Sequence, residues 1–335
     1  MTLPARIVER LREIAAGYQP LGALAAAADL RLFDRLRRGP ASLPSLARSS
    51  RASRRGVRLL ADALVGLGFL ERSGPRYRIS REWGPLFDFR DGAFARSLFL
   101  SAGRTMAAFG DLAGRVRRGG ARGDLDDPAK AAAFFRDLVP MLHEMNREPA
   151  RRAAVALGLR RLRRPFRVLD LAAGSGIWGI AAAQASPFVR VDAFDLPGVL
   201  RRTRRFARAE GVARRFRFLP GDLRRADFGR GRYDLVVLGH ICHSEGAART
   251  RRLLRAARRA LAPGGRILIA EFLADEDRRG PAASLLFGLV MLARTEEGDV
   301  FSFGEMRRWL RESGFEPPRR IAAPPNATLL LAAAH

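Results

Sequence analysis

The chain is poor in cysteine, lysine and long apolar runs. Cys242 is the only cysteine in 335 residues, so neither an intrachain disulfide nor a zinc site built on cysteines is available, and a reducing cytoplasm fits. Lys130 is the only lysine among 61 basic residues, and the acids number 34, so the formal charge of +27 rests almost wholly on arginine. Those arginines fall in pairs along apparent helices, as at Arg201, Arg202, Arg204 and Arg205, which is the habit of solvated faces. No basic run interleaved with aromatics marks a specific nucleic-acid surface, although charge of this size attracts polyanions non-specifically at low salt. The longest apolar stretch, Leu285 to Ala293, is too short to span a bilayer, and MTLPARIVERLREIAAG carries acids where a signal peptide has its apolar core. A soluble, cytoplasmic protein with no membrane partner and no internal repeat is expected.

What is present is material for two domains, with 47% hydrophobic and 28% charged residues. The organising stretch is FRVLDLAAGSGIWG, Phe166 to Gly179. Phe166 to Leu171 reads as a buried parallel strand, Ala172 to Gly176 as a tight turn of small residues, and Ile177 onward as a helix. Strand, glycine-rich turn and helix in that order form the place where an α/β sheet binds a nucleoside. Gly174, Gly176 and Gly179 spell GxGxxG, which serves dinucleotides as well. Asp170 argues otherwise: an acid at the carboxyl end of the strand suits the ammonium and sulfonium of S-adenosylmethionine better than a pyrophosphate.

Two further strand ends repeat the pattern. Val189 to Phe194 ends at Asp195, about twenty residues beyond Gly176, the spacing at which a carboxylate meets ribose hydroxyls, with Leu196 beside it. Phe216 to Leu219 ends in Pro220-Gly221-Asp222-Leu223, where Asp222 is placed to accept from an adenine amino group and Leu223 to cover the ring. The fourth strand, Tyr233 to Leu238, runs into Gly239-His240-Ile241-Cys242-His243. Two histidines three apart on a turn can share a face, so a metal bound with help from distant acids is one alternative. A helix from Ala247 to Leu261 and a strand from Arg266 to Phe272 follow, and Glu271 on that strand needs a partner.

Upstream, helices are expected over Leu21 to Leu36, from Ser42 and Pro44 through Leu46, and after a Ser53 cap with Val57, Leu60, Leu64 and Leu67 on one face. Short strands follow, Phe69 to Arg72 and Tyr77 to Ser80. Three helices and a hairpin make a winged helix. Arg51, Arg54, Arg55 and Arg58 could meet DNA phosphates; the other use of the shape is packing against a second chain, and the cofactor half supplies a reason for the protein that needs no DNA. From Trp83 to about Leu162 the chain reads as helices broken by a loop at Gly119-Gly120-Ala121-Arg122-Gly123. There Phe134, Phe135, Leu138, Met141, Leu142 and Met145 form a stripe that is core or, through its methionines, the wall of a pocket for a flat aromatic ligand. The tail offers a helix from Ala282 to Ala293, an acidic loop from Thr295 to Asp299, a helix from Phe303 to Gly314 and two strands joined by Pro324-Pro325-Asn326.

Taken together, VLDLAAGSG, FDLP, GDL, ICH and PGGRILIAEFL resemble, in order and spacing, the class I S-adenosylmethionine-dependent small-molecule O-methyltransferases, the family of caffeate, acetylserotonin and hydroxyneurosporene enzymes. The likeness runs along nearly the whole chain. It implies an α/β fold: a Rossmann-like seven-stranded methyltransferase sheet preceded by a helical winged-helix dimerisation domain. The expected domains are 1–90 for dimerisation, 91–162 as a helical connector at the substrate pocket and 163–335 for S-adenosylmethionine, in a homodimer acting on a small, aromatic acceptor. It further implies that His243 is the general base, that Glu271 orients it, and that Met291, in VMLA, lines the substrate pocket. The chain departs from the family at Ala172 and Ala173, where glycines are usual; at Gly239, a lysine in plant members; and at Ser244-Glu245, usually aromatic. In TEEGDVFS, Val300 aligns with a second glutamate, with Glu296, Glu297 and Asp299 as nearby replacements. Three rival readings remain: a carbon or nitrogen methyltransferase of the same fold, a nicotinamide oxidoreductase, and a winged-helix DNA-binding regulator.

Overall fold

A computed structural model of the chain describes residues 3–120, 123–323 and 327–335. The expected turn at Pro324-Pro325-Asn326, and Ala121 and Arg122 of the expected glycine loop, lie outside the described residues. The chain divides into two compact units between Gly110 and Asp111. That point lies well past residue 90, because the helix Ala93–Ala108 packs on the helix Tyr18–Asp29 so closely that a Cβ on Gly103 would stand 2.7 Å from the Ala25 Cβ.

In the first unit the helix expected over Leu21 to Leu36 is two, Tyr18–Asp29 and Leu32–Leu36. Arg31, in left-handed backbone at φ 55°, breaks it, and the change of direction lets Leu24 and Ala28 share one core with Leu32, Phe33 and Leu36. Helices Leu43–Ser50 and Arg54–Gly66 follow, the second capped by Ser53, whose Oγ accepts from the Gly56 N–H at 3.1 Å. Strands Leu70–Ser73 and Arg76–Ile79 pair antiparallel and complete the winged-helix arrangement. Ahead of all this, the helix Ala5–Ala16 buries none of its residues.

The second unit is built on a seven-stranded sheet. Its strands are β1 Phe166–Leu171, β2 Val189–Asp195, β3 Phe216–Pro220, β4 Tyr233–Gly239, β5 Leu261–Glu271, β6 Arg319–Ala323 and β7 Ala327–Ala333. They lie in the order β6-β7-β5-β4-β1-β2-β3; β1 to β5 are parallel and β7 is antiparallel to both its neighbours. Strands buried on both faces read as the near-continuous apolar runs seen in β1 and β4, with Val168 in one core and Leu169 and Leu171 in the other. The strand order reverses between β1 and β4. At such a switch point the loops after the two strands part and leave a crevice outside the carboxyl ends, which is where the acids and histidines of the sequence gather.

Candidate active site

The turn after β1 carries the first group of site residues. Asp170 is fully buried beneath it: Oδ2 accepts from the Gly179 N–H at 3.1 Å, and Oδ1 has no partner. Burial first, and then the like charge of Asp195, push its carboxyl up to about 8. Gly176, at φ 75°, does not face the crevice; a Cβ there would stand 2.8 Å from the Thr203 methyl, so the glycine serves packing under the turn. Gly174 does line the crevice and gives its N–H to Asp195 Oδ2 at 2.8 Å. Asp195, at the end of β2, also accepts from the Leu196 N–H at 2.7 Å, and burial pushes it up to about 6 despite these two bonds. The three expected acids therefore differ in station: Asp170 under the floor, Asp195 in the wall, and Asp222 at the far end after β3.

Asp195 and Asp222, together with Ala172, Ala173, Gly174, Leu196, Gly221 and Leu223, line a cleft. One wall is the helix Pro128–Met145, which Asp127 caps by accepting from the Ala129 and Lys130 N–H groups. Ala131, Phe135, Leu142 and Asn146 face the cleft from this segment, a spacing of four, seven and four residues that follows one helical face. Met141 and Met145 lie off that face, Met145 being 40% exposed, and neither lines the cleft. Met291 is buried beside Gly298 and does not line it either. Trp178 and Asn146 do, and sequence reasoning missed both. The tryptophan stands inside the GSGIWG stretch, and a Cβ on Gly239 would lie 2.2 Å from its Nε1, so Trp178 takes the space that a side chain at position 239 would use.

At the ends of β4 and β5 stand His243 and Glu271, the expected base and its orienting carboxylate. His243 Nδ1 lies 2.7 Å from Glu271 Oε2, and the His243 N–H reaches Oε1 at 3.3 Å. Burial pushes the Glu271 carboxyl up, but the charge and hydrogen bond of His243 outweigh it and hold the group below the ordinary glutamate value. With a carboxylate on Nδ1, that nitrogen keeps its proton and Nε2 is left to accept one. Phe287 meets the His243 ring edge-on at 4.9 Å, and Phe272 lies 6.0 Å away. His240, at φ 59°, lines the cleft; its Nε2 lies 3.0 Å from Asn146 Oδ1, and burial depresses it to about 4, so it is neutral near pH 7. His240, His243 and Glu271 each place one ligating atom within 4.8 Å of the others. All three side chains are already bonded, His243 and Glu271 to each other and His240 to Asn146, which favours a hydrogen-bonded group over a metal cage. Glu296, Glu297 and Asp299 are all exposed, and only the backbone of Asp299 meets His243, at its carbonyl, so among the described residues Glu271 is the carboxylate that supports the ring.

The comparisons with known proteins agree with this geometry. Residues 139–316 match the model of the O-methyltransferase domain, and residues 13–81 that of the O-methyltransferase dimerisation domain. The chain is 34% identical to an acetylserotonin O-methyltransferase of Mus musculus, over 91% of this chain and 83% of that one. It is 31% identical to the tetracenomycin polyketide synthesis 8-O-methyl transferase of Streptomyces glaucescens, over 92% and 91%. The solved structure of human N-acetylserotonin methyltransferase in complex with SAM superposes with a TM-score of 0.83 at 24% identity, covering 100% of this chain and 99% of that one. With its sheet order, its site and these matches in place, the chain belongs to the S-adenosylmethionine-dependent O-methyltransferases that carry a dimerisation domain.

Proposed function

We propose that the protein methylates a phenolic or enolic hydroxyl of a small aromatic secondary metabolite, with His243 as general base and Glu271 as its orienting carboxylate. The observation that carries this reading is the 2.7 Å bond between His243 Nδ1 and Glu271 Oε2, a pair that stands behind the cleft lining, three residues beyond His240.

The residues present fit S-adenosylmethionine. Asp170 holds a buried oxygen without a donor beneath a turn of small residues, the backbone at Ala172 to Gly174 lines the cleft, and Asp195 stands in its wall. Asp195 would hold the ribose, and Leu196 and Leu223 the two faces of the adenine, with Asp222 at that end. When bound, the cofactor supplies an electrophilic methyl group on a sulfonium that is already reactive. What the chain must add is alignment and a place for a proton. A phenol with a pKa near ~10 is mostly neutral at pH 7, and His243 Nε2 takes its proton as the oxygen becomes nucleophilic, a contribution of roughly 10² to 10⁴ in rate. Holding donor and acceptor in line is worth up to roughly 7 to 11 kcal/mol more.

Supporting the acceptor class, the relatives include enzymes named for acetylserotonin and for a tetracenomycin polyketide. Supporting a homodimer, the dimerisation model covers residues 13–81, and the helix Ala5–Ala16 leaves Ile7, Leu11 and Ile14 exposed on one side, in line with Leu3 and Tyr18. No described helix is long and apolar enough to cross a membrane, and we assign the protein to the cytoplasm with no specific nucleic-acid partner. The test is product analysis: incubation with S-adenosylmethionine and a panel of phenols, enols, amines and activated carbon acids, with the methylated atom located by NMR. Methyl groups on oxygen support the reading. Methylation confined to nitrogen or carbon overturns it in favour of the other transferases of this fold.

A further inference from the structure

The helix Ala282–Arg294 ends on a buried cation. The Arg294 side chain is only 2% exposed. Its Nε donates to Asp124 Oδ1 at 3.2 Å and one terminal nitrogen donates to Oδ2, which makes a bidentate pair. The guanidinium lies over the Phe134 ring, 3.8 Å from its centre. The other terminal nitrogen is buried with no partner. A buried charge with an idle donor is often less stable than an apolar side chain of similar size, so packing alone does not account for an arginine here.

What the arginine holds is the segment 123–127. Its own backbone takes part: the Arg294 carbonyl accepts from the Leu125 N–H at 3.2 Å. A Cβ on Gly123 would stand 1.8 Å from that carbonyl oxygen, so the segment runs against the helix end at a distance only glycine permits. The Gly123 N–H donates to Asp126 Oδ2 at 2.8 Å and folds the segment into a compact turn. Leu125, Asp126 and Pro128 then line the cleft. The Asp126 carbonyl accepts at 3.4 Å from Arg224, the residue bonded to Asp222 after β3. Residues 123–127 therefore reach from the end of the helix Ala282–Arg294 to the end of the cleft assigned to adenine.

We propose that residues 123–127 form a strap across the adenine end of the cleft and that Arg294 is its latch, a positioning residue that sets how fast S-adenosylmethionine enters and S-adenosylhomocysteine leaves. This rests on the reading that the cleft holds that cofactor. Neither Arg294 nor Asp124 is among the residues that line the cleft, so the pair stabilises the strap equally in the empty and the loaded protein. A contact with no preference between the two states leaves affinity alone, and loosening it speeds passage in both directions.

The experiment is stopped-flow binding of S-adenosylhomocysteine, followed by protein fluorescence, to which Trp178 in the cleft contributes, with hydrogen exchange on the same proteins. In Arg294→Met the new side chain still fills the core and Asp124, 44% exposed, returns to water, so the melting temperature should stay at or above that of wild type. Association and dissociation rate constants should each rise about tenfold, the scale for losing one bond to a charged group, with Kd within about threefold. The Gly123 and Leu125 amides should exchange about tenfold faster. Asp124→Asn keeps an acceptor oxygen and should raise the same two rates by less. Asp124→Ala combined with Arg294→Met should add nothing to Arg294→Met alone, because both substitutions remove the same bond. Should Arg294→Met fail to fold, Asp124→Asn at its more exposed position carries the same test. Unchanged rates and exchange, a weaker Kd from faster dissociation alone, or additive effects in the double variant overturn the latch. Failure of the wild-type protein to bind S-adenosylhomocysteine, with the strap amides still protected, would instead remove the cofactor reading and the proposal with it.

Discussion

Asp170 and Asp195 show what burial does to single residues in this site. Their carboxyls are raised to about 8 and about 6 by burial, so the ligand-free fold favours the protonated forms. The stability they contribute is present in full below the ordinary aspartate value and is lost as pH rises through about 6 and then about 8. Thermal unfolding of the ligand-free protein should therefore fall in midpoint between pH 5 and about 8.5, and Asp170→Asn should flatten the upper part of that decline; an unchanged slope in the mutant would refute the assignment. Asp195→Ala should cost roughly 1.5 to 3 kcal/mol in S-adenosylmethionine binding, the scale for bonds to a charged group, measured by calorimetry. These acids, with His243 and Glu271, were legible in the sequence because each sits at or just past the end of an apolar run, and a parallel sheet delivers all such ends to one edge. Asn146 and Trp178 were not, since nothing in a lone Asn or a Trp inside a glycine motif announces a partner 94 residues away or a ring across the cleft.

At the scale of elements, the close approach of β4 to the helix Ile177–Ala185 explains the glycine at position 239. A side chain there must displace the Trp178 indole, whose Nε1 would lie only 2.2 Å from the Cβ. Gly239→Ala should lower the melting temperature by the equivalent of about 1 to 3 kcal/mol and weaken cofactor binding with it, while Trp178→Phe in the same background should recover part of both. If Gly239→Ala binds and melts like wild type, the two elements are not packed as described. β5, expected from Arg266, opens five residues earlier, at Leu261, with the Pro263-Gly264-Gly265 stretch inside it. The limits of β1 to β4 were readable from apolar runs and turns. The helical phase of Pro128–Met145 was not fully so: the stripe of six apolar residues is wider than one face, and a 3.6-residue period turns Phe135 and Leu142 to the cleft and leaves Met141 and Met145 off it. The helix expected over Leu21 to Leu36 broke for a different reason, a left-handed arginine that no propensity favours and that the shared core of the two halves stabilises.

At the scale of the whole molecule, the stripes that suggested a dimer, Leu24 to Leu36 and Val57 to Leu67, are spent on the first unit's own core: Leu24, Leu32, Leu36, Val57 and Leu64 are all buried. Leu67, at the end of the second stripe, stays 38% exposed, and further apolar surface lies on the helix Ala5–Ala16, where Leu11 is 54% and Ile14 65% exposed. Sequence pattern shows that a helix has an apolar side, but not whether its own chain or another covers it. The double substitution Leu11→Glu, Ile14→Glu should leave the fold intact by circular dichroism and convert a dimer to a monomer in analytical ultracentrifugation. A wild-type protein that sediments as a monomer at micromolar concentration would contradict the homodimer.

The central claim is that His243, held by Glu271, removes the acceptor's proton. It is tested most directly by His243→Ala in single-turnover methyl transfer to the best phenolic acceptor, with S-adenosylhomocysteine affinity measured on the same sample. The account predicts a loss of roughly 10² to 10⁴ in rate with cofactor affinity unchanged, and a smaller loss for Glu271→Gln. Transfer at the full wild-type rate by His243→Ala between about pH 6 and 9 would contradict it.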